Sequence, residues 1–113
     1  GIANSAGNLV LHLIGNLNAY IGNEIGKTGY VRNRALEFSM KDIPREDLIV
    51  QLINTIDVVS SSLTLLTADD YEKEFPMLVL AEKTTNEYFM VHLLTHLNYH
   101  LGQINYHRRL IDK

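Results

Sequence analysis

The sequence contains no cysteine among its 113 residues, and this absence removes several kinds of chemistry at once. The chain cannot form a disulfide, bind a metal through thiolates or use a cysteine nucleophile. Any metal that it binds must therefore rest on imidazole, carboxylate and water ligands. Such a set suits zinc, nickel, iron or manganese, and it argues against a structural zinc site of the cysteine type.

Long apolar runs and an excess of one charge are also missing. The longest apolar stretches, residues 9–14 and 77–81, are far too short to cross a bilayer, and no signal-peptide pattern is present. The formal net charge is −3, and acidic and basic residues are mixed, so there is no basic stripe for a phosphate backbone. We therefore expect a cytoplasmic protein that binds neither membranes nor nucleic acids.

The signatures of several enzyme classes are absent as well. The sequence has no His-Glu-x-x-His of metalloproteases and no Glu-x-x-His of ferritin-like di-iron proteins. It also has no phosphate-binding Gly-Lys-Ser/Thr loop, no Rossmann glycine pattern and no Gly-x-Ser-x-Gly nucleophile elbow. None of these templates therefore explains what the chain does.

Apolar residues recur at helical spacing in three long segments, over about residues 5–25, 44–67 and 84–111. The first segment carries them over a wide arc, so neighbours should contact this helix on most sides. Residues 27–42 are predicted to form a connection with little order of its own. No window alternates with a period of two for long enough to indicate a sheet. The prediction is one all-α domain with a single core, which suits a chain of 113 residues.

The third predicted helix carries four of the five histidines, which are His92, His96, His100 and His107. Residues four apart lie one above the other on a helix, so the first three form one stripe. Two imidazoles one turn apart can both direct a ring nitrogen at one ion, at about 2.0–2.1 Å. A third ligand must come from elsewhere, and His12 on the first helix is the candidate. Spacing alone leaves open a solvated or hydrogen-bonded histidine face.

Two of these histidine segments resemble the markers of a known family. His96-Leu-Asn-Tyr-His100-Leu-Gly-Gln103 resembles the C-terminal signature of the DinB-like superfamily, in which two histidines four apart precede x-Gly-Gln. Residues 7–13, an apolar segment with His12, resemble the superfamily's other marker. Residues 32–38 resemble one uncharacterised subgroup. The resemblance covers essentially the whole chain.

The resemblance implies an up-down four-helix bundle with a long crossover, as a single domain over residues 1–113. It also implies one divalent metal ion, zinc or nickel before iron or manganese, held by His12, His96 and His100. Only residues 1–4 precede the helix that carries His12, so we expect the first helix of that fold to be missing from this chain. Three helices would leave an open groove. A second copy would close it, which predicts a homodimer.

Residues beside the predicted ligands receive further predictions, whereas the sequence identifies no catalytic residue. The residues expected to support the ligands or to face the substrate are His92, Gln103, Asn16 and Tyr99. A packed aromatic is the alternative interpretation of Tyr99. Arg32 and Arg34 are interpreted as surface charges in a loop, the alternative being a hold on an anionic substrate. Glu37 is expected to pair with one of them, a contact that is usually weak.

The reaction follows from the resemblance alone. Characterised members of the superfamily include thiol S-transferases that use bacillithiol, mycothiol or glutathione, which implies a small-molecule substrate of the low-molecular-weight thiol class. A metal-coordinated thiol is deprotonated and becomes a nucleophile. Other members are metal-dependent hydrolases, in which bound water is activated instead. A metal-binding or small-ligand-binding protein without turnover and a purely structural helical domain are the remaining alternatives.

Overall fold

The computed structural model describes residues 5–111, so the predicted domain bounds 1–113 reach beyond the described residues at both ends. Within them the structure is all-α, as predicted, and one isolated β-bridge joins Glu74 to Thr85. None of the described helices is long and apolar enough to span a membrane. The helices are α1 (Ala6–Leu17, continued by a π-helical segment, Asn18–Asn23), α2 (Arg34–Ser39), α3 (Arg45–Leu63), α4 (Ala68–Glu72) and α5 (Asn86–Ile111).

The central helix is α1, which packs against α2, α3 and α5. Its N-cap is Ser5, whose hydroxyl accepts a hydrogen bond from the backbone N–H of Asn8 at 3.1 Å and so satisfies one free donor of the first turn. All residues from 11 to 16 are buried. The wide apolar arc correctly predicted a helix that neighbours contact on most sides.

The π-helical segment brings α1 close to α3 through a glycine. A Cβ atom on Gly22 would lie 2.8 Å from Cγ1 of Val58, which is closer than two carbon atoms can approach without a shift. A residue without a side chain therefore lets the two helices meet at this level.

The prediction that residues 27–42 have little order was wrong, because α2 lies within them. Its six residues make fewer than two turns, which is too short for an apolar period to show in the sequence. Contacts from α1 position it instead. The side-chain amide of Asn8 donates to the backbone carbonyls of Glu37 at 3.0 Å and Met40 at 2.9 Å.

The core between α1 and α5 sets the register of these two helices. Phe75, from the connection before α5, stacks on Phe89 with ring centroids 4.1 Å apart. Tyr20 meets the ring of Phe89 edge-on at 5.4 Å. Because Tyr20 faces the start of α5 while His12 faces residues further along it, α1 and α5 run antiparallel.

An apolar groove lies between α3 and α5. Both helices pack on α1, but within residues 5–111 their Cα atoms do not approach within 8 Å of each other. The groove has a volume of about 460 Å³, and Leu17 and Ile21 are among the residues that line it. Its rims consist largely of the side chains of Leu52, Ile56, Val59 and Leu63 from α3 and of Met90, Leu94 and Leu97 from α5.

Candidate metal centre

The structure brings together the three predicted ligands, His12, His96 and His100. Each offers a ring nitrogen, and these atoms all lie within 4.8 Å of one another. The Nε2 atom of His96 is 3.2 Å from Nε2 of His12 and 3.1 Å from Nε2 of His100. The three nitrogens therefore point at one small volume between α1 and α5.

Helix geometry explains this convergence. His96 and His100 lie on successive turns of α5, so their rings project from the same face. His12 faces them from the antiparallel α1, with its ring centroid 5.1 Å from that of His96 and 4.9 Å from that of His100. The exposed fraction of His12 is 5%, whereas His96 and His100 are half-buried.

Hydrogen bonds at the opposite ring nitrogens orient two of the imidazoles. Nδ1 of His12 lies 3.0 Å from Oε1 of Glu37, and Nδ1 of His100 lies 2.6 Å from Oε1 of Gln103. Both partners are acceptors, so these contacts are hydrogen bonds in the tautomer that carries the ring proton on Nδ1. A neutral imidazole has one such proton, and the Nε2 atoms of both rings are then left with lone pairs directed inward.

This donor set fits a cation better than it fits an apo hydrogen-bond network. If His96 carries its proton at Nε2, that single N–H must donate to the Nε2 lone pairs of both His12 and His100. If it carries the proton at Nδ1, three lone pairs face one another. A divalent ion between the rings would satisfy all three, and three imidazoles are an established zinc ligand set. The residues present therefore fit a divalent metal ion.

Among the predicted site residues on α1 and α5, two buried polar atoms have no hydrogen-bond partner within residues 5–111. They are Nδ1 of His96 and Oδ1 of Asn16. Asn16 is buried on α1, one turn after His12, and its role beside the ligands stays a prediction.

The sequence interpretation missed the burial of Glu37 and its contact with the predicted ligand His12. Arg32 donates to its carboxylate twice, from Nε to Oε2 at 2.7 Å and from Nη2 to Oε1 at 2.9 Å. The predicted pairing is thus present, but the exposed side-chain fractions are only 12% for Arg32 and 7% for Glu37. The interpretation of Arg32 as a surface charge was wrong, whereas Arg34 is exposed. The available signal was the subgroup resemblance of residues 32–38, which contain both partners.

Gly15 makes the approach of Glu37 to α1 possible. A Cβ atom at this position would overlap the carboxylate of Glu37 and would lie 3.1 Å from Nε of Arg32. The glycine therefore leaves the space that the ion pair fills, one turn from His12. Any side chain there would displace the group that bonds to the first ligand.

The electrostatics of the centre favour neutral imidazoles, which is the form that binds metals. Burial, together with the smaller effects of the neighbouring His100 and His12, lowers the pKa of His96 from 6.5 to about 4. Burial also lowers the pKa of His12, although its hydrogen bond to Glu37 opposes that shift. Both rings are therefore neutral imidazoles at neutral pH.

The other predicted site residues lie at different distances from the centre. Gln103 contacts the ring of the predicted ligand His100, as described above. The ring of Tyr99 lies 5.3 Å from that of His100, and its side chain is exposed. His92 does not belong to the three-histidine group, and its ring lies 5.7 Å from that of Phe89. The regular stripe of three histidines on α5 is thus divided between the centre and the aromatic core.

A family model described as "Protein of unknown function (DUF1572)" matches residues 2–113. No curated protein and no solved structure matches the chain. The matched range includes α1, α2 and α5, which together contribute the three histidines and Glu37. That description assigns no activity.

Proposed function

The chain belongs to the family described as "Protein of unknown function (DUF1572)", and on this premise we propose that it is a metal-dependent enzyme of the thiol S-transferase type. His12, His96 and His100 would hold one divalent ion, zinc or nickel before iron or manganese. The observation that carries the proposal is the convergence of their three Nε2 atoms. The resemblance of the histidine segments to the DinB-like superfamily supports the choice of reaction.

The proposal includes the DinB-like four-helix type for the bundle. In it, α1, α3 and α5 are three of the long helices, and the connection that contains α4 is the long crossover. The antiparallel packing of α1 and α5 supports this assignment, because it brings a histidine of one helix to two histidines of the other.

The ligand set supports chemistry at the ion over a purely structural role. Three histidines leave at least one coordination position open, and an open position distinguishes catalytic from structural sites. When bound, the ion would favour the thiolate form of a coordinated thiol. The ligands are neutral, and the charges of Glu37 and Arg32 offset each other. The charge of the ion is therefore left for an anionic ligand to balance, and a thiolate is one.

In the proposed reaction, the thiol loses its proton to water and its sulfur forms a bond to an electrophilic carbon. The leaving group departs from that carbon with the bonding electrons. The chain's own residues provide the setting for this exchange. His12 and His100 keep their lone pairs directed inward through their bonds to Glu37 and Gln103, and the buried α1 excludes water from the side of His12.

Metal content tests the centre. We expect the purified and zinc-loaded protein to bind about one ion per chain. His12→Ala and His96→Ala should lose that ion, because two remaining imidazoles make an incomplete site. His107→Ala is the matched control, since it removes a histidine of α5 outside the group. A wild-type protein that stays metal-free, or unchanged occupancy in His12→Ala, would contradict the assignment.

The reaction needs a separate test. The metal-loaded protein would be incubated with bacillithiol, mycothiol or glutathione and an alkyl halide, and product formation would be followed with and without a chelator. We expect metal-dependent acceleration with at least one thiol. Metal-dependent ester or amide hydrolysis without thiol transfer would favour the hydrolase alternative. Stoichiometric metal with neither activity would favour a binding protein.

A further inference from the structure

We propose that Glu37 is a positioning residue for the metal centre, where it fixes the tautomer of His12 that directs the Nε2 lone pair at the ion. The proposal rests on the proposed metal function and deepens it. It assigns a role to a side chain that is not itself a ligand, on a helix that contributes no ligand. Three independent observations carry it: the hydrogen bonds, the attachment of α2 and the space at Gly15.

The tautomer of His12 follows from three short distances that form a triangle. Oε1 of Glu37 lies 3.0 Å from Nδ1 of His12 and 2.9 Å from Nη2 of Arg32, and those two nitrogens are 3.2 Å apart. A carboxylate oxygen can only accept and a guanidinium can only donate. If Nδ1 carries the proton, both nitrogens donate to the same oxygen. If it carried a lone pair, that lone pair would face the carboxylate.

Arg32 holds the carboxylate in this orientation. It donates to both oxygens of Glu37, so the carboxylate cannot rotate without breaking a bond of a two-point pair. The guanidinium also lies 5.9 Å from the centre of the Tyr20 ring, which limits its own movement. Glu37 therefore presents Oε1 to His12 in a fixed direction.

The helix that carries Glu37 is attached to the helix that carries His12. Asn8 lies one turn before His12 and bonds to two backbone carbonyls of α2, one of them that of Glu37 itself. Gly15 lies almost one turn after His12 and leaves the space for the carboxylate. Asn8 and Gly15, which lie on either side of His12 along α1, thus determine the position of Glu37.

A role in stability alone explains this arrangement less well. A buried ion pair often contributes little net stability, because removing both charges from water costs about as much as their attraction returns. The third partner in the triangle is a predicted metal ligand. A carboxylate that accepts from the far nitrogen of a ligating histidine orients the ring and strengthens its donor nitrogen.

The first test compares Glu37→Gln with Glu87→Gln, an exposed carboxylate on α5. The amide keeps the shape of Glu37, but it offers one acceptor where Arg32 and His12 together require two. We expect the zinc dissociation constant, measured by chelator competition, to rise about 10- to 100-fold. Glu87→Gln should bind as the wild type does. Equal affinity in all three proteins would overturn the proposal.

The second test reads the tautomer directly in the metal-free protein. Nitrogen-15 NMR of the histidine rings distinguishes a proton on Nδ1 from one on Nε2, and His12→Ala identifies the signal. We expect Nδ1 protonation at His12 in the wild type and a shift towards the other tautomer in Glu37→Gln. Wild-type His12 protonated at Nε2 would overturn the proposal, and that measurement requires no variant of Glu37 to fold.

The two tests separate this inference from the proposed function. A wild-type protein that binds no metal would remove the metal function. The tautomer measurement would still decide whether Glu37 fixes His12. A wild type that binds zinc, with unchanged affinity and tautomer in Glu37→Gln, would keep the metal function and remove the role of Glu37. Gly15→Ala, which displaces the carboxylate without changing any charge, should reproduce the loss of affinity.

Discussion

Single residues decide the protonation of the centre. His96 is surrounded by two other imidazoles and by little water, so a proton on its ring is unfavourable. The same burial acts on His12, where the carboxylate of Glu37 partly compensates for it. A protonated ring would also compete with the ion for the same nitrogen. Acid should therefore lower both the stability of the folded protein and the affinity of this centre for a metal ion.

The pH dependence of the metal-free protein has a definite sign. The folded pKa of His96 is about 4 and the unfolded value is 6.5, so the unfolded chain binds more protons between these values. The free energy of unfolding should keep its full value above the unfolded pKa. It should fall as the pH decreases towards the folded pKa. Urea unfolding across this range would measure it.

The control for this pH effect is His96→Leu, which removes the titrating group. The difference between wild type and variant isolates His96 from the carboxylates that also titrate in acid. As the pH decreases, we expect the wild type to lose more of its free energy of unfolding than the variant does. A constant difference over the whole range would contradict the low pKa of His96.

At the scale of helices, α1 determines the geometry of the site. It supplies one predicted ligand, the amide that attaches α2 and the glycine that leaves space for Glu37. Its π-helical continuation then meets α3 at Gly22 and the aromatic core at Tyr20. The histidines of α5 converge with His12 because these contacts fix the distance and register between the two helices.

The contact at Gly22 can be tested as an element-packing effect. Gly22→Ala should lower the free energy of unfolding by about 1–3 kcal/mol, because the added methyl group collides with Val58. In a Val58→Ala background, Gly22→Ala should lower the free energy of unfolding by much less. A double-mutant cycle by urea unfolding measures that coupling. Purely additive effects would show that the two side-chain positions do not compete for space.

Sequence periodicity accounts for the long helices and for the common face of His96 and His100. It gives no information where tertiary contacts determine the structure. His96 and His100 lie on a helix of 26 residues, where a four-residue spacing fixes a common face. Glu37 lies on a helix of six residues whose attachment comes from Asn8, 29 positions earlier. No local spacing relates Glu37 to Asn8, Gly15 or His12. Its burial therefore could not be predicted from the sequence pattern.

At the scale of the whole molecule, the groove between α3 and α5 leaves a large apolar surface open. Ile56 is 62% exposed and Leu94 is 56% exposed on its two rims. Contiguous apolar surface of this kind is typical of a contact site. The homodimer proposed from the sequence would cover it with a second copy of the chain.

Oligomeric state tests that proposal. Light scattering after size-exclusion chromatography should give the mass of a dimer for the wild type. Ile56→Lys and Leu94→Lys should shift it to the monomer, because each places a charge in the covered groove. Asn54→Lys adds the same charge at an exposed polar position of α3 and should leave the dimer intact. A wild-type monomer at every concentration would refute the homodimer.

The span between the ligands has a consequence for synthesis. His12 and His96 meet across 84 positions of the chain, and His100 lies later still. Because a ribosome makes the chain from its N-terminus, the α1 histidine emerges long before its two partners. The three-nitrogen site cannot exist on the nascent chain until α5 has emerged and folded back on α1. Metal loading of the proposed site would therefore be a late event, which would mark a chain whose first and last described helices have already paired.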